Sequence, residues 1–309
     1  MDIEIKNLKK YFGPTKALDG VTFSFQTGDV FGFVGPNGAG KTTLMRILST
    51  LDEPTDGDAT MNGKSIIQYP ESVRRYVGFV PDSLPAHNDI TVHEYLDFFA
   101  RAYGIIGRDR DRAVAGVEDF TGLCSFKNKA ISALSKGMKQ RVSFGRALVH
   151  NPTLLIMDEP AAGLDPRARV ELRELVLELA EQKKALLISS HILTELAEMC
   201  NGVVIIERGK LLESGSIEDI SKTTTPNRTV ALRALDGTDK LYKDILQLPN
   251  VEKTRRDGGE IFIEFQGDDS TGSDILIELI RKNHRITEFR HTKQSLEDIF
   301  MNITKGNIS

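Results

Sequence analysis

Short apolar runs rich in β-branched residues alternate with helically spaced ones over residues 1–220, the pattern of a sheet covered by helices. Val30 to Val34 reads as a buried strand that stops at Gly35, and Leu44, Ile47, Leu48 and Leu51 then recur at the spacing of one helix face. Val77–Val80, Leu154–Met157, Ala185–Ser189 and Val203–Glu207 read as further strands. Residues 91–150 are almost wholly helical in pattern, which predicts a helical subdomain inserted at about residues 84–150. In such folds ligand chemistry sits at the strand ends.

Ser221 to Asn227 is polar, carries a proline and has no periodicity, so residues 221–228 read as a linker and residues 229–309 as a second domain. That second segment reads strand (Val230–Leu235), helix (Leu241, Ile245, Leu248), strand (Val251–Arg256), a turn at Asp257-Gly258-Gly259, strand (Ile261, Ile263, Phe265), helix (Ile275, Leu276, Leu279, Ile280) and strand (Ile286–Phe289). The order βαββαβ predicts a small α+β domain of ferredoxin-like topology. Ser295 to Asp298 has the form of a capping box, and Leu296, Ile299, Phe300 and Ile303 form one apolar helix face behind it.

Composition narrows the classes. With 40% hydrophobic and 27% charged residues, the 309-residue chain folds, and its length suits about two domains. Forty basic residues against 44 acidic ones, without a basic arm, argue against sequence-independent nucleic-acid binding. Cys124 and Cys200 stand far apart outside any Cys-x-x-Cys spacing, so no disulfide scaffold or cysteine-rich metal site is expected, and a reducing, cytoplasmic setting fits. No apolar run approaches the ~20 residues of a membrane span, and Met1-Asp-Ile-Glu4 does not open a signal peptide, so no direct membrane insertion is expected.

The chemistry begins at Gly35-Pro36-Asn37-Gly38-Ala39-Gly40-Lys41-Thr42-Thr43, which matches the phosphate loop Gly-x-x-x-x-Gly-Lys-Ser/Thr with a strand before it and a helix after it. Glycines let successive N–H groups turn toward one anion, Lys41 reaches the outer phosphates, and the Thr42 hydroxyl can ligate Mg²⁺. Leu154 to Met157 runs into Asp158 and Glu159, and carboxylates at the end of a buried strand are costly without a cation partner. Asp158 is therefore expected to face Mg²⁺, leaving Glu159 to polarise a water in line with the γ-phosphate.

With these motifs the chain resembles an ATP-binding subunit of an ABC transporter over its first 220 residues or so. Leu134-Ser135-Lys136-Gly137-Met138-Lys139-Gln140-Arg141 resembles the family signature Leu-Ser-Gly-Gly-Gln, Asp165 in Ala161-Ala-Gly-Leu-Asp165 resembles the D-loop, and Ser189-Ser-His191 resembles the switch histidine. Ser190-His-Ile-Leu-Thr-Glu and Ser295-Leu-Glu-Asp-Ile-Phe300 resemble the exporter-type subclass, in which a C-terminal extension is common. The resemblance implies an α/β P-loop NTPase of ABC type with a helical insert. It implies ATP and Mg²⁺ as cofactors, and two copies sandwiching two nucleotides so that Ser135, Lys136, Gly137 and Met138 complete the partner copy's site, with Asp165 in communication between sites. Taken alone, Ser135 is equally an ordinary helix cap. The resemblance further implies Tyr11 against the adenine, where the alternative is a strand-end tyrosine packed on the sheet, and His191 as a γ-phosphate contact. A separate membrane permease is the implied partner, with the chain at the cytoplasmic face of the membrane. Tyr95, Phe98 and Phe99 are candidates for that docking surface or for subdomain core. The small second domain is expected to brace the dimer, with binding of a regulatory ligand as the alternative. A soluble ABC ATPase acting on ribosomes or nucleic acid is the other class, for which the 117 residues separating Lys41 from Asp158 leave no room for a long coiled-coil insert.

Four positions depart from the family pattern. Asp82 stands where the family usually has Gln; a carboxylate facing a phosphate oxygen at ~4 Å would cost about 4 kcal/mol at an effective dielectric of 20, so an outer-shell Mg²⁺ role is expected. Lys136 replaces a glycine of the signature, Met138 another small or polar position, and Ala161 a common serine.

The other histidines, His87, His93, His150, His284 and His291, lack metal-ligand spacing and read as structural or surface residues.

Overall fold

Two long strands open the chain, β1 (Asp2–Phe12) and β2 (Thr15–Gln26), followed by β3 (Val30–Val34), α1 (Lys41–Leu48), β4 (Asp56–Met61), β5 (Lys64–Ser65), α2 (Pro70–Arg74) and β6 (Val77–Val80). The helical block contains α3 (Val92–Ala102), α4 (Gly107–Phe120) and, after a short 3-10 turn at Ile131–Ala133, α5 (Lys136–Leu148). Then come β7 (Leu154–Met157), α6 (Pro166–Glu181), β8 (Ala185–Ser189), α7 (Leu193–Met199), β9 (Gly202–Glu207), β10 (Lys210–Ser216) and α8 (Ile217–Thr224). This computed structural model describes residues 1–84, 90–224, 227–235, 238–292 and 296–305. It divides into two units, Met1–Ile217 and Glu218–Ser309.

Two sheets build the first unit. The larger has the order β10-β9-β3-β8-β7-β6 and is parallel except at β10. Its strands β3, β7 and β8 are buried at every position, as both-face burial requires. The smaller sheet, β2-β1-β4-β5, is antiparallel. Ile3, Ile5, Phe23 and Phe25 of this sheet share one core with Phe33, Leu154 and Ile156 of the larger sheet and with Leu44, Ile47 and Leu48 of α1. Each such side chain contributes about 1.5–3 kcal/mol of burial, which fixes α1 and the loop before it.

The helical block has its own core of Val92, Leu96, Val114, Leu123, Ile131, Leu134 and Val142. Thr91 and Glu94 form a reciprocal cap at the start of α3. Glu118 is only 1% exposed, and its carboxylate meets His93 Nδ1 at 2.6 Å and Lys127 Nζ at 3.2 Å, which ties α3, α4 and the following turn together. Tyr95 belongs to this core at 1% exposure and so leaves the proposed docking surface, whereas Phe98 is 60% exposed.

The second unit contains β11 (Asn227–Ala234), α9 (Thr238–Ile245), β12 (Val251–Asp257), β13 (Glu260–Gln266), α10 (Asp269–Arg281), β14 (Ile286–Thr292) and α11 (Leu296–Lys305). Sheet order β12-β13-β11-β14, antiparallel throughout, is the ferredoxin-like arrangement. Gly258 and Gly259, at φ 53° and 84°, make the β12–β13 turn that demands left-handed backbone. The linker expected at 221–228 is helical through Thr224 and a strand from Asn227. Helix α8 begins at Ile217 with Glu218 and Asp219 in its first turn, a favourable helix start that the polar stretch beyond it disguises. Residues 225 and 226, His87 and the cap residue Ser295 lie outside the described residues. Leu296 and Ile299 of the last helix are buried, so its apolar face is covered.

Candidate active site

Strands β3, β8 and β7 are adjacent and in step, Phe33 opposite Ser189 and Met157 opposite Ile188, so their carboxyl ends deliver three loops to one place. The first is the glycine loop. Gly35 packs so closely that an added Cβ would lie 2.4 Å from the Ile206 carbonyl oxygen, and Gly40, at φ 109°, would meet the Ala17 carbonyl oxygen at the same distance. Gly40 caps α1 without a side chain. The amides of Gly38, Gly40, Lys41, Thr42 and Thr43 consequently have no protein acceptor among the described residues. The buried Lys41 ammonium lies within the same loop, donating to the Gly35 carbonyl at 2.7 Å and more weakly to the Pro36 carbonyl at 3.3 Å. Five amides and one ammonium on a helix start are a donor set that fits a polyphosphate.

The second loop leaves β7. Asp158 is 4% exposed and, among the described residues, accepts one hydrogen bond, from the Ser189 hydroxyl at 2.7 Å. A buried carboxylate with a single neutral donor fits a cation. No group of three His, Cys, Asp or Glu side chains exists among the described residues that could hold a metal by itself, so a divalent ion here would draw further ligands from phosphate and water. Glu159 follows in left-handed backbone, φ 48°, an uncommon conformation for a non-glycine residue and typical of functional turns. The Ser189 hydroxyl accepts the Glu159 N–H at 2.8 Å, so one buried hydroxyl holds both acids.

The third loop leaves β8. His191 Nδ1 lies 2.7 Å from Glu159 Oε2, and its backbone N–H donates to the same oxygen at 3.3 Å. Lys41 Nζ approaches Glu159 Oε1 at 3.9 Å. Phosphate loop, acidic strand end and histidine are thus one connected site.

The remaining sequence candidates occupy other places. Tyr11 sits at the end of the β1–β2 hairpin opposite Lys16, one residue before the Ala17 that abuts Gly40. Its hydroxyl donates to Asp19 at 2.9 Å, which raises the Tyr11 phenol and lowers the Asp19 carboxyl from their ordinary ranges, and Lys16 lies over its ring. Asp82 follows β6 and is exposed. Ser135 caps α5 by accepting the Met138 N–H at 3.3 Å, and Asp165 caps α6 by accepting the Ala168 N–H at 2.9 Å. Lys136 extends over Gly163 in the turn after β7. Tyr11, Asp82, Ser135 and Asp165 have no hydrogen bond or ion pair to the glycine loop among the described residues. Ser189 and the pair Arg169–Glu195 are features the sequence reading missed; a serine ending an apolar strand between two charged motifs was the available signal for the first.

Comparison with known proteins decides the family. Residues 18–162 match the family model described as "ABC transporter", and residues 215–304 match "ATP-binding protein DrrA1-3-like, C-terminal domain". An uncharacterized ABC transporter ATP-binding protein of Synechocystis, sll0415, is 32% identical over 93% of this chain and 78% of its own length. The chain belongs to the ATP-binding proteins of ABC transporters. The Nod factor export ATP-binding protein I of Burkholderia thailandensis is 29% identical over 98% of this chain and 96% of its own length. A solved ATP-binding subunit of an ABC transporter is 31% identical, with a TM-score of 0.66 over 72% of this chain and 93% of that one. ATP hydrolysis is the activity of this family, and no helix among the described residues is long and apolar enough to cross a membrane.

Proposed function

We propose that this ATP-binding protein hydrolyses Mg-ATP between two copies of itself and thereby drives export through a separate membrane permease, at the cytoplasmic face of the membrane. The observation that carries the reading is Glu159, held in left-handed backbone between His191 and Lys41. Bound Mg-ATP supplies the phosphoanhydride to be split and the metal charge that offsets the phosphates. Gly35 to Thr43 would hold the triphosphate, and Thr42 and Asp158 the metal, with Asp82 in its outer shell. Glu159 would orient a water and take up its proton, a role commonly worth ~10²–10⁴ in rate. His191 keeps the Glu159 carboxylate in place and offers its ring edge to the outer phosphate. Tyr11 would lie against the adenine.

The second copy enters because Ser135 and the first amides of α5 form an anion-binding helix end that makes no bond to the chain's own glycine loop. Ser135, Lys136, Gly137 and Met138 would then close the partner's site, and Asp165 would carry the state of one site to the other. Export is favoured by the likeness to an export protein along almost the whole chain, including the C-terminal domain, for which we keep the bracing role. The test is purification of Glu159→Gln from membranes. Retention of ATP together with a permease chain is the expected result; hydrolysis at the parent rate, or recovery of the variant alone, would overturn the reading.

A further inference from the structure

The helices that follow the two catalytic loops are joined behind the site by a charge pair that the proposed mechanism does not use. Arg169, one turn into α6, donates from Nε to the Leu164 carbonyl oxygen at 3.2 Å, just before the α6 cap Asp165. Its Nη1 stands 3.0 Å from Oε1 of Glu195 in the first turn of α7. Glu195 keeps only 16% of its side-chain surface exposed, and that enclosed oxygen has no aligned hydrogen bond, so the guanidinium balances it by charge. Burial raises the Glu195 carboxyl, Arg169 and His191 oppose that, and Glu159 and Glu198 reinforce it. Arg173 pairs with Glu198 one turn further along the same helices.

Glu159 and His191 each sit on a turn of a few residues whose far end is the start of α6 or α7. A direct bond joins the turns at the front, Glu159 to His191, and Arg169 joins them at the back. We infer that Arg169 and Glu195 are positioning residues that hold the Leu164–Asp165 turn and the α7 start in one register, so that His191 stays on the Glu159 carboxylate as the D-loop moves. Neither side chain bonds to the glycine loop among the described residues, so nucleotide affinity is set elsewhere. Guanidinium geometry serves the carbonyl and the carboxylate together; an ammonium meets one of them at a time.

This inference rests on the ATPase reading, and wild-type turnover measured alongside separates the two failures: an inactive wild type refutes that reading, an active one exposes the positioning role to test. On the full chain, Mg-ATP turnover and equilibrium ATP binding are compared for wild type, Arg169→Lys and Arg169→Gln, with thermal unfolding as control. We expect Arg169→Gln to lower kcat about tenfold with KM and ATP affinity within twofold, and Arg169→Lys to recover part of that loss. Should Arg169→Gln fail to fold, Arg169→Gln combined with Glu195→Gln, which leaves no unpaired buried charge, carries the same comparison. Wild-type kcat in the folded variants, or a parallel loss of binding and turnover, overturns the inference.

Discussion

Ser189→Ala removes one hydroxyl that serves two charged neighbours and changes nothing else in volume beyond an oxygen. The hydroxyl is fully buried, donates to Asp158 at 2.7 Å and accepts the Glu159 amide at 2.8 Å. A hydrogen bond to a charged group contributes about 1.5–3 kcal/mol, and a buried amide left without acceptor costs about 1–3 kcal/mol. Part of this is offset because the hydroxyl no longer has to be desolvated, so we expect a net loss of about 3 kcal/mol. At roughly 2–4 °C per kcal/mol for a unit of this size, the melting temperature should fall by roughly 6–12 °C. Left-handed backbone at Glu159 costs about 1–3 kcal/mol and persists only where its surroundings hold it, so the carboxylate should also leave His191 and turnover should fall at least tenfold. The assay is thermal unfolding followed by circular dichroism, paired with ATP turnover. Ser190→Ala is the control, since among the described residues that hydroxyl accepts only the Ile192 amide, at 3.0 Å, and it should cost about 1 kcal/mol. If Ser189→Ala melts within 2 °C of the parent and hydrolyses ATP at the same rate, the shared hydroxyl does not hold the acids.

Gly40→Ala should abolish nucleotide binding because its Cβ would strike the Ala17 carbonyl oxygen at 2.4 Å, whereas Gly38→Ala meets nothing within 4 Å and should cost only the about 1 kcal/mol of its φ 80° backbone; equilibrium ATP binding distinguishes them. Burial pushes the His150 imidazole down to about 4, so the fold holds it neutral with Nε2 on the Val77 carbonyl and Tyr103 stacked at 3.7 Å. Between pH 6.5 and 4 the unfolded chain takes up a proton that the folded chain refuses, so this contribution is full above pH 6.5 and is lost as pH falls, by up to about 3 kcal/mol. His150→Gln should lack that part of the acid dependence in urea unfolding at pH 7 and pH 4.5; equal losses in parent and variant would refute it. Tyr95→Ala should destabilise by about 3–5 kcal/mol, while Phe98→Ala, on an exposed ring, should leave the melting temperature within a few degrees and reduce co-purification of the permease.

The glycine loop and the acidic strand were legible because each is local: fixed glycine spacing, and an apolar run that stops at two acids. The β2-β1-β4-β5 sheet was not. In β1 the buried positions run Ile3, Ile5 and then Leu8, because Asn7 adopts φ 49° and the pairing with β2 shifts between Ile5 and Leu8. An irregularity of this kind erases the two-residue period that marks a strand. Tyr95 illustrates the opposite case. Val92, Tyr95, Leu96 and Ala100 share one helix face, and Phe98 falls off it, so the division between core and surface was present in the spacing even though all three aromatics read as candidates together. Arg169 and Glu195 are of ordinary type at exposed-looking positions, and only the fold, by packing α6 against α7, brings them together.

Sheet register is what converts these motifs into a site. Asp158 and Ser189 meet because β7 and β8 run parallel with Met157 opposite Ile188, and both strands are buried over every residue. A slip of one residue would set Ile188 or Ser190 against Asp158, and with Ile188 there Glu159 would lose the acceptor that holds its amide. Apolar alternation cannot prevent that slip, since a strand buried on both faces presents no polar side to mark its register. The hydroxyl of Ser189 opposes one of the two slips: it satisfies both groups in the native alignment, and bringing Ile188 opposite Asp158 leaves a carboxylate and an amide buried without it. The same serine therefore specifies the fold and shapes the chemistry, and a variant there should show stability and turnover falling together, in contrast to Arg169, where turnover should fall alone.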